Sequence, residues 1–178
     1  MFDDIFLLDT NVVSNSSKER PDPQISQWLR AQSRIAIPFA VFIEIGIGIS
    51  KNFANDNPSK ALALSDWLDE LLRTEFVYAV PTPAVARKLA DMYFVSHLSH
   101  LWYTDPDNPK KRKPGQDLFV AATAIVYDYP IATCDEKDYR AIAEHFTLPG
   151  VFNPSSGTWL VPRTKVTAEG TVWPTMVA

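Results

Sequence analysis

The sequence predicts an α/β fold: three layers, α/β/α, with a central and mainly parallel sheet between helices. Three observations carry this. Short apolar runs alternate along the chain with longer segments whose apolar residues recur at helical spacing. The first run, Ile5 to Leu8, is continuous rather than alternating, as in strands covered on both faces. Strands separated by helices need crossover connections, and these give parallel pairing.

In "DIFLLDTNVV" the first run ends on Asp9. A carboxylate inside a buried strand is costly. At the carboxyl end it sits on the sheet rim, where open α/β folds bind ligands. Asp9 can equally cap the following helix, so this stretch leaves both uses open. Residues 20–32 read as a helix capped by Asp22, with Pro23 in its first turn and Ile25, Trp28 and Leu29 on one face. A strand over 34–38 stops at Pro38. Residues 39–53 alternate Ile and Gly like a strand, but their length favours a buried helix. The glycines cost helix stability, so close packing or a cavity accounts for them.

Asn57 and Pro58 open the next helix, with Leu62, Trp67, Leu68, Leu71 and Leu72 mostly facing inward. A strand follows at 75–80. Thr82 and Pro83 start a helix expected to run to about Trp102. An Ala-rich helix over 116–129, a strand over 130–134, a short helix after it and a last strand, "GVFNP", complete the pattern. The expected organisation is one domain over 1–154 and a C-terminal extension over 155–178. The extension is either a hairpin turned at Glu169–Gly170 or a poorly ordered end.

The 178 residues are 46% hydrophobic and 21% charged, within the globular range. No apolar run approaches the ~20 residues of a membrane-spanning helix. Asp3 and Asp4 near the start do not resemble a secretory leader. A single cysteine, Cys134, excludes an internal disulfide and suits a reducing compartment, so a cytoplasmic location is expected. A net charge of -4 and a pI near 5.3 do not announce a nucleic-acid binder. The exception is Lys110, Lys111, Arg112 and Lys113, a proline-flanked cationic run expected to be an exposed loop, just before Asp117.

Four places in the chain carry acids in related positions. Asp9 follows one strand and Asp135 follows another, so a parallel sheet puts both on one rim. Glu44 is the only charged residue between Pro38 and Ile49, with Gly48 one turn later. Asp117 opens the Ala-rich helix, where the helix dipole favours a carboxylate. Each acid alone has an ordinary structural use. Gathered together, they would repel and raise one another's pKa. A divalent cation relieves that repulsion, and carboxylate oxygens suit Mg²⁺ or Mn²⁺. His97 and His100 share a helix face, but no His/Cys group suggests zinc.

"LLDTNVV", Glu44 in "IEIGIGI", "QDLFVAATA" and "IATCDEKDY" followed by "VFNP" resemble, in this order, the PIN-domain ribonucleases. The likeness is strongest to the VapC-type toxins of bacterial toxin–antitoxin pairs and covers roughly residues 5–154. It implies a PIN-like fold and an acidic centre of Asp9, Glu44, Asp117 and a fourth acid, Asp135 or Asp138. Thr10 and Asn11 match the family's "DTN", and Thr133 matches a hydroxyl that lines the site; all three would orient carboxylates by hydrogen bonds. The cationic loop looks longer than usual, and the tail extends past the ordinary family end.

The resemblance further implies an endoribonuclease that hydrolyses RNA phosphodiesters with a water activated by Mg²⁺ or Mn²⁺. Asp9 and Asp117 are the best direct metal ligands, with Glu44 and Asp135 completing the metal site. Lys110–Lys113 would contact RNA phosphates. The implied partners are RNA, a cognate antitoxin and a second copy in a homodimer, with no membrane. Two rivals remain. One is a non-catalytic RNA- or protein-binding module. The other is a phosphohydrolase with Asp9 as nucleophile, which would want an Asp where Asn11 stands.

Overall fold

The computed structural model describes residues 4–103 and 115–163. The elements, in chain order, are β1 (Phe6–Leu8), α1 (Thr10–Val13), a 3-10 turn (Ser14–Ser17), α2 (Pro23–Arg30), β2 (Ile35–Pro38), α3 (Phe39–Ala54), α4 (Pro58–Leu72) and β3 (Val77–Ala79). There follow α5 (Pro83–Tyr93), a second 3-10 segment (Ser96–Leu101), α6 (Asp117–Tyr127), β4 (Ile131–Ala132), α7 (Glu136–Ala143), β5 (Val151–Asn153) and β6 (Thr158–Val161). The strands form one sheet in the order β3-β2-β1-β4-β5-β6. All neighbours are parallel except the antiparallel pair β5–β6. The predicted three-layer α/β/α architecture is the observed one.

Period-two alternation splits the core between the two faces of the sheet. Leu7, Ala36, Ala79, Ile131 and Val151 point to one side and pack with Val85 and Met92 of α5, Leu118 to Ala124 of α6, and Ile142 of α7. Leu8, Ile37 and Ala132 point to the other, against Val12, Val13, Ile25, Val41 and Ile45. Strands two to four residues long suffice because every buried residue has a covered side.

Residues 39–53 are helical, as their length predicts, within α3. The helix expected from Thr82 to about Trp102 ends instead at Tyr93. Phe94 closes it, and Val95 adopts an extended conformation (φ -80°, ψ 109°). This break turns Leu98 and Leu101 into the core, where both are buried. On α4, Leu62 and Leu72 face solvent rather than inward, while Trp67, Leu68 and Leu71 pack on the second core.

Thr158–Val161, inside the segment expected as an extension, pairs with β5 as the outer strand. Arg163 then binds Asp128 at 3.0 Å and Asp4 at 3.4 Å, tying this end of the chain to its start. The hairpin expected at Glu169–Gly170 lies outside the described residues. Among the described residues no helix is long and apolar enough to cross a membrane.

Candidate active site

Strand order reverses between β1 and β4, because the chain winds outward from β1 through β2 and β3 and then returns to its other side. Open α/β sheets leave a crevice outside the carboxyl ends of the strands at such a point. Asp9 and Thr133 stand there, one residue beyond β1 and β4 respectively.

Asp9 is 3% exposed and held by three donors. Its Oδ1 accepts from the Thr10 backbone N–H at 2.7 Å, which is also the cap of α1. Its Oδ2 accepts from Asn11 Nδ2 at 2.9 Å and from the Thr133 hydroxyl at 2.7 Å. The carboxylate that caps α1 is thus the one standing at the sheet rim. Asn11 Nδ2 also reaches Thr133 Oγ1, and its Oδ1 accepts from Cys134 N–H at 2.9 Å, so the β1 and β4 ends are laced together.

Glu44 projects from α3 to the same place. The Thr10 hydroxyl donates to its Oε2, and the Gln116 backbone N–H donates to Oε1 at 2.9 Å. Thus the lone acid of an apolar helix finds two donors. Asp117 begins α6 and accepts no hydrogen bond from any described residue. Asp135 caps α7, accepting from Asp138 N–H at 3.5 Å, while its own N–H donates to Thr133 Oγ1. Asp138 is 5% exposed on α7.

Electrostatics link these side chains. Burial pushes the Asp9 carboxyl up to about 6 against the lowering effect of its Thr133 and Thr10 hydrogen bonds, with Glu44 and Asp135 adding repulsion. Asp117 is pushed up to about 7, first by burial and then by Asp9, Asp138, Glu44 and Asp135. Asp135 thus bears on both, and Asp138 bears on Asp117. Cys134 sits close by, but burial raises its thiol pKa, the opposite of what a nucleophilic thiolate needs.

Gly115 was not singled out by sequence reasoning. An added Cβ there would stand 2.9 Å from Asp117 Oδ2 and 3.1 Å from Glu44 Oε1. Room beside the carboxylates therefore belongs to Gly115. Gly48, one turn after Glu44, has nothing within 4 Å of its missing Cβ. The position of Gly115 between the cationic run and Asp117 was the available signal. Tyr139 was also missed. It is fully buried one turn after Asp135, and four of the acids raise its pKa further after burial.

This donor set fits a hard divalent cation. It is all oxygen, two of its carboxyls are pushed up by burial and by neighbouring acids, and a glycine keeps the space between two of them clear. It is not a closed ligand shell: among the described residues no three His, Cys, Asp or Glu side chains form a ready-made group for an ion. Mg²⁺ needs only one or two protein carboxylates and keeps its waters. His97 stacks on His145 with ring centroids 5.5 Å apart. A cleft of about 890 Å³ between the first 3-10 turn and the start of α4, lined by Ser14, Lys18, Asn57 and Lys60, contains none of the acids. Lys110, Lys111, Arg112 and Lys113 lie outside the described residues.

The sequence matches the model of the PIN domain family over residues 6–144. Among solved structures, FitAcB from Neisseria gonorrhoeae superposes with a TM-score of 0.57 at 21% identity, over 84% of this chain and 98% of that one. VapBC-1 from nontypeable Haemophilus influenzae gives 0.53 at 18%, over 85% and 98%. VapBC-5 from Mycobacterium tuberculosis, a member of the VapBC family of toxin–antitoxin systems, gives 0.51 at 19%, over 84% and 98%. At these identities the likeness is one of fold. No curated protein matches the chain.

Proposed function

The chain belongs to the PIN-domain family, and from that premise we propose that it is a divalent-metal-dependent endoribonuclease, the VapC-type toxin of a toxin–antitoxin pair. One observation carries the reading most: Asp9 and Asp117 are pushed up to about 6 and about 7 at the point where strand order reverses. Carboxylates so placed gain most from a cation.

Each residue then has a task. Asp9 is fixed by Thr10, Asn11 and Thr133, so its lone pairs are pre-aimed. Asp117 offers a carboxylate that accepts from no described residue. Glu44, held by Thr10 and Gln116, and the fourth acid, Asp135 or Asp138, orient water at the rim. Bound Mg²⁺ or Mn²⁺ supplies the positive charge that activates water and stabilises a phosphodiester's transition state. Lys110–Lys113 neutralise RNA phosphates, which an otherwise acidic chain needs.

As a toxin it works in the cytoplasm, pairs as a homodimer and is silenced by an antitoxin segment over the acidic rim. An antitoxin Arg paired to these carboxylates is the natural block. The fold shared with VapBC-5, a member of a family of toxin–antitoxin systems, supports the antitoxin partner by analogy.

The test is cleavage of total cellular RNA by the purified chain with Mg²⁺, Mn²⁺ or EDTA, beside Asp117→Asn. Cleavage that needs metal and disappears in the variant is expected. Full activity in EDTA or in the variant overturns the proposal. Neither cleavage nor metal binding makes the chain a non-catalytic module.

A further inference from the structure

Tyr139 carries a feature the proposed chemistry has not used. Its ring fills the core between α6, α7 and the sheet, and it is 0% exposed. Its hydroxyl is the one buried side-chain polar atom among the described residues with no hydrogen-bond partner. Leaving a buried hydroxyl unpaired is destabilising, and a phenylalanine would fill the same core without that cost. The hydroxyl therefore calls for a use.

Its surroundings say which one. Tyr139 lies one turn after Asp135 on α7, and α7 packs on α6, which begins with Asp117. Asp9, Asp117, Glu44 and Asp135 all act on the phenol electrostatically. It is thus a donor among acceptors. Three donors already hold Asp9 and two hold Glu44, while Asp117 accepts none from described residues.

We infer that Tyr139 is a positioning residue whose hydroxyl donates a hydrogen bond to the Asp117 carboxylate, directly or through one water, when that carboxylate turns to a cation. Building on the metal-dependent reading above, the inference assigns Asp117 the donor that Thr10, Asn11 and Thr133 give Asp9. The hydroxyl remains idle without metal and is engaged with it, so it acts on metal affinity rather than on folding.

The experiment is Mn²⁺ titration, followed by calorimetry, of the full chain and of Tyr139→Phe and Asp117→Asn, with thermal unfolding of each in EDTA. Tyr139→Phe is expected to unfold at the same or a higher temperature and to bind Mn²⁺ about 10- to 100-fold more weakly. In RNA cleavage the Mn²⁺ concentration that gives half-maximal rate should rise by the same factor, while KM for RNA holds. Unchanged Mn²⁺ affinity in Tyr139→Phe, where Asp117→Asn loses binding, overturns the inference and leaves the metal-dependent reading standing. A Tyr139→Phe chain that unfolds earlier in EDTA makes the hydroxyl structural and also overturns it. A wild-type chain that binds no Mn²⁺ removes the metal-dependent reading, and the inference falls with it.

Discussion

Asp117 and Asp9 differ from ordinary surface acids in one respect: folding takes them from water and sets them against other carboxylates. Each holds its proton more tightly folded, to about 7 and about 6, than at the ordinary 3.8. An acid with a raised folded pKa contributes stability that is full below the unfolded value, about pH 4. That contribution is lost as pH rises through the folded values. In EDTA the denaturation midpoint of the chain should therefore fall between about pH 4.5 and pH 8, and Asp9→Asn/Asp117→Asn should flatten the fall. Equal slopes for the two chains would remove the repulsion argument. Asp117→Asn alone should stabilise the metal-free chain by about 2–4 kcal/mol at about pH 8, scaled from the size of the shift. The same variant should abolish metal-dependent cleavage, which a nuclease assay with Mn²⁺ checks. Stability and activity then move in opposite directions, the signature of a functional rather than a structural carboxylate.

Elements position these residues through their ends. β1 and β4 stop at the same level because they pair in register, Leu7 with Ile131 and Leu8 with Ala132. Thr133 can then donate to Asp9 across the strand gap. The start of α6 is set differently, by Gly115, whose missing Cβ leaves the Asp117 and Glu44 oxygens in place. Gly115→Ala should swing both flexible carboxylate ends aside. Stability should change by less than about 1 kcal/mol, while Mn²⁺ affinity falls about tenfold or more. An unchanged affinity would mean the carboxylates tolerate the displacement. At the other edge, Arg163 fastens the end of β6 to Asp128 and Asp4, with its side chain 15% exposed. Arg163→Ala should lower stability by about 1–3 kcal/mol in urea unfolding, with the acidic site intact.

The whole molecule presents an electrostatic contradiction: a chain of net charge -4 is proposed to bind a polyanion. The cations that resolve it are concentrated in Lys110–Lys113. Replacing all four by Gln should reduce the salt slope of single-stranded RNA binding by about 3, at roughly 0.7 per released counterion. A slope unchanged by the replacement would move RNA contact elsewhere on the surface.

Much of this was legible in the sequence because it depends on local pattern. Continuous apolar runs identified the strands, and Asp22, Asn57 and Thr82 marked the starts of their helices through side chains that do cap them. Asp9 and Asp135 each follow a strand, which puts both on one rim once the sheet is parallel. What the sequence could not determine depends on distances between segments far apart in the chain. The break at Val95, the addition of Thr158–Val161 to the sheet, the closeness of Gly115 to Glu44 and the unpaired hydroxyl of Tyr139 all belong to that class. The physical reason is common to them. Periodicity and capping are properties of neighbouring residues. Whether a buried carboxylate or hydroxyl finds a partner is decided only when packing brings 34 or 124 positions of chain separation down to hydrogen-bond reach.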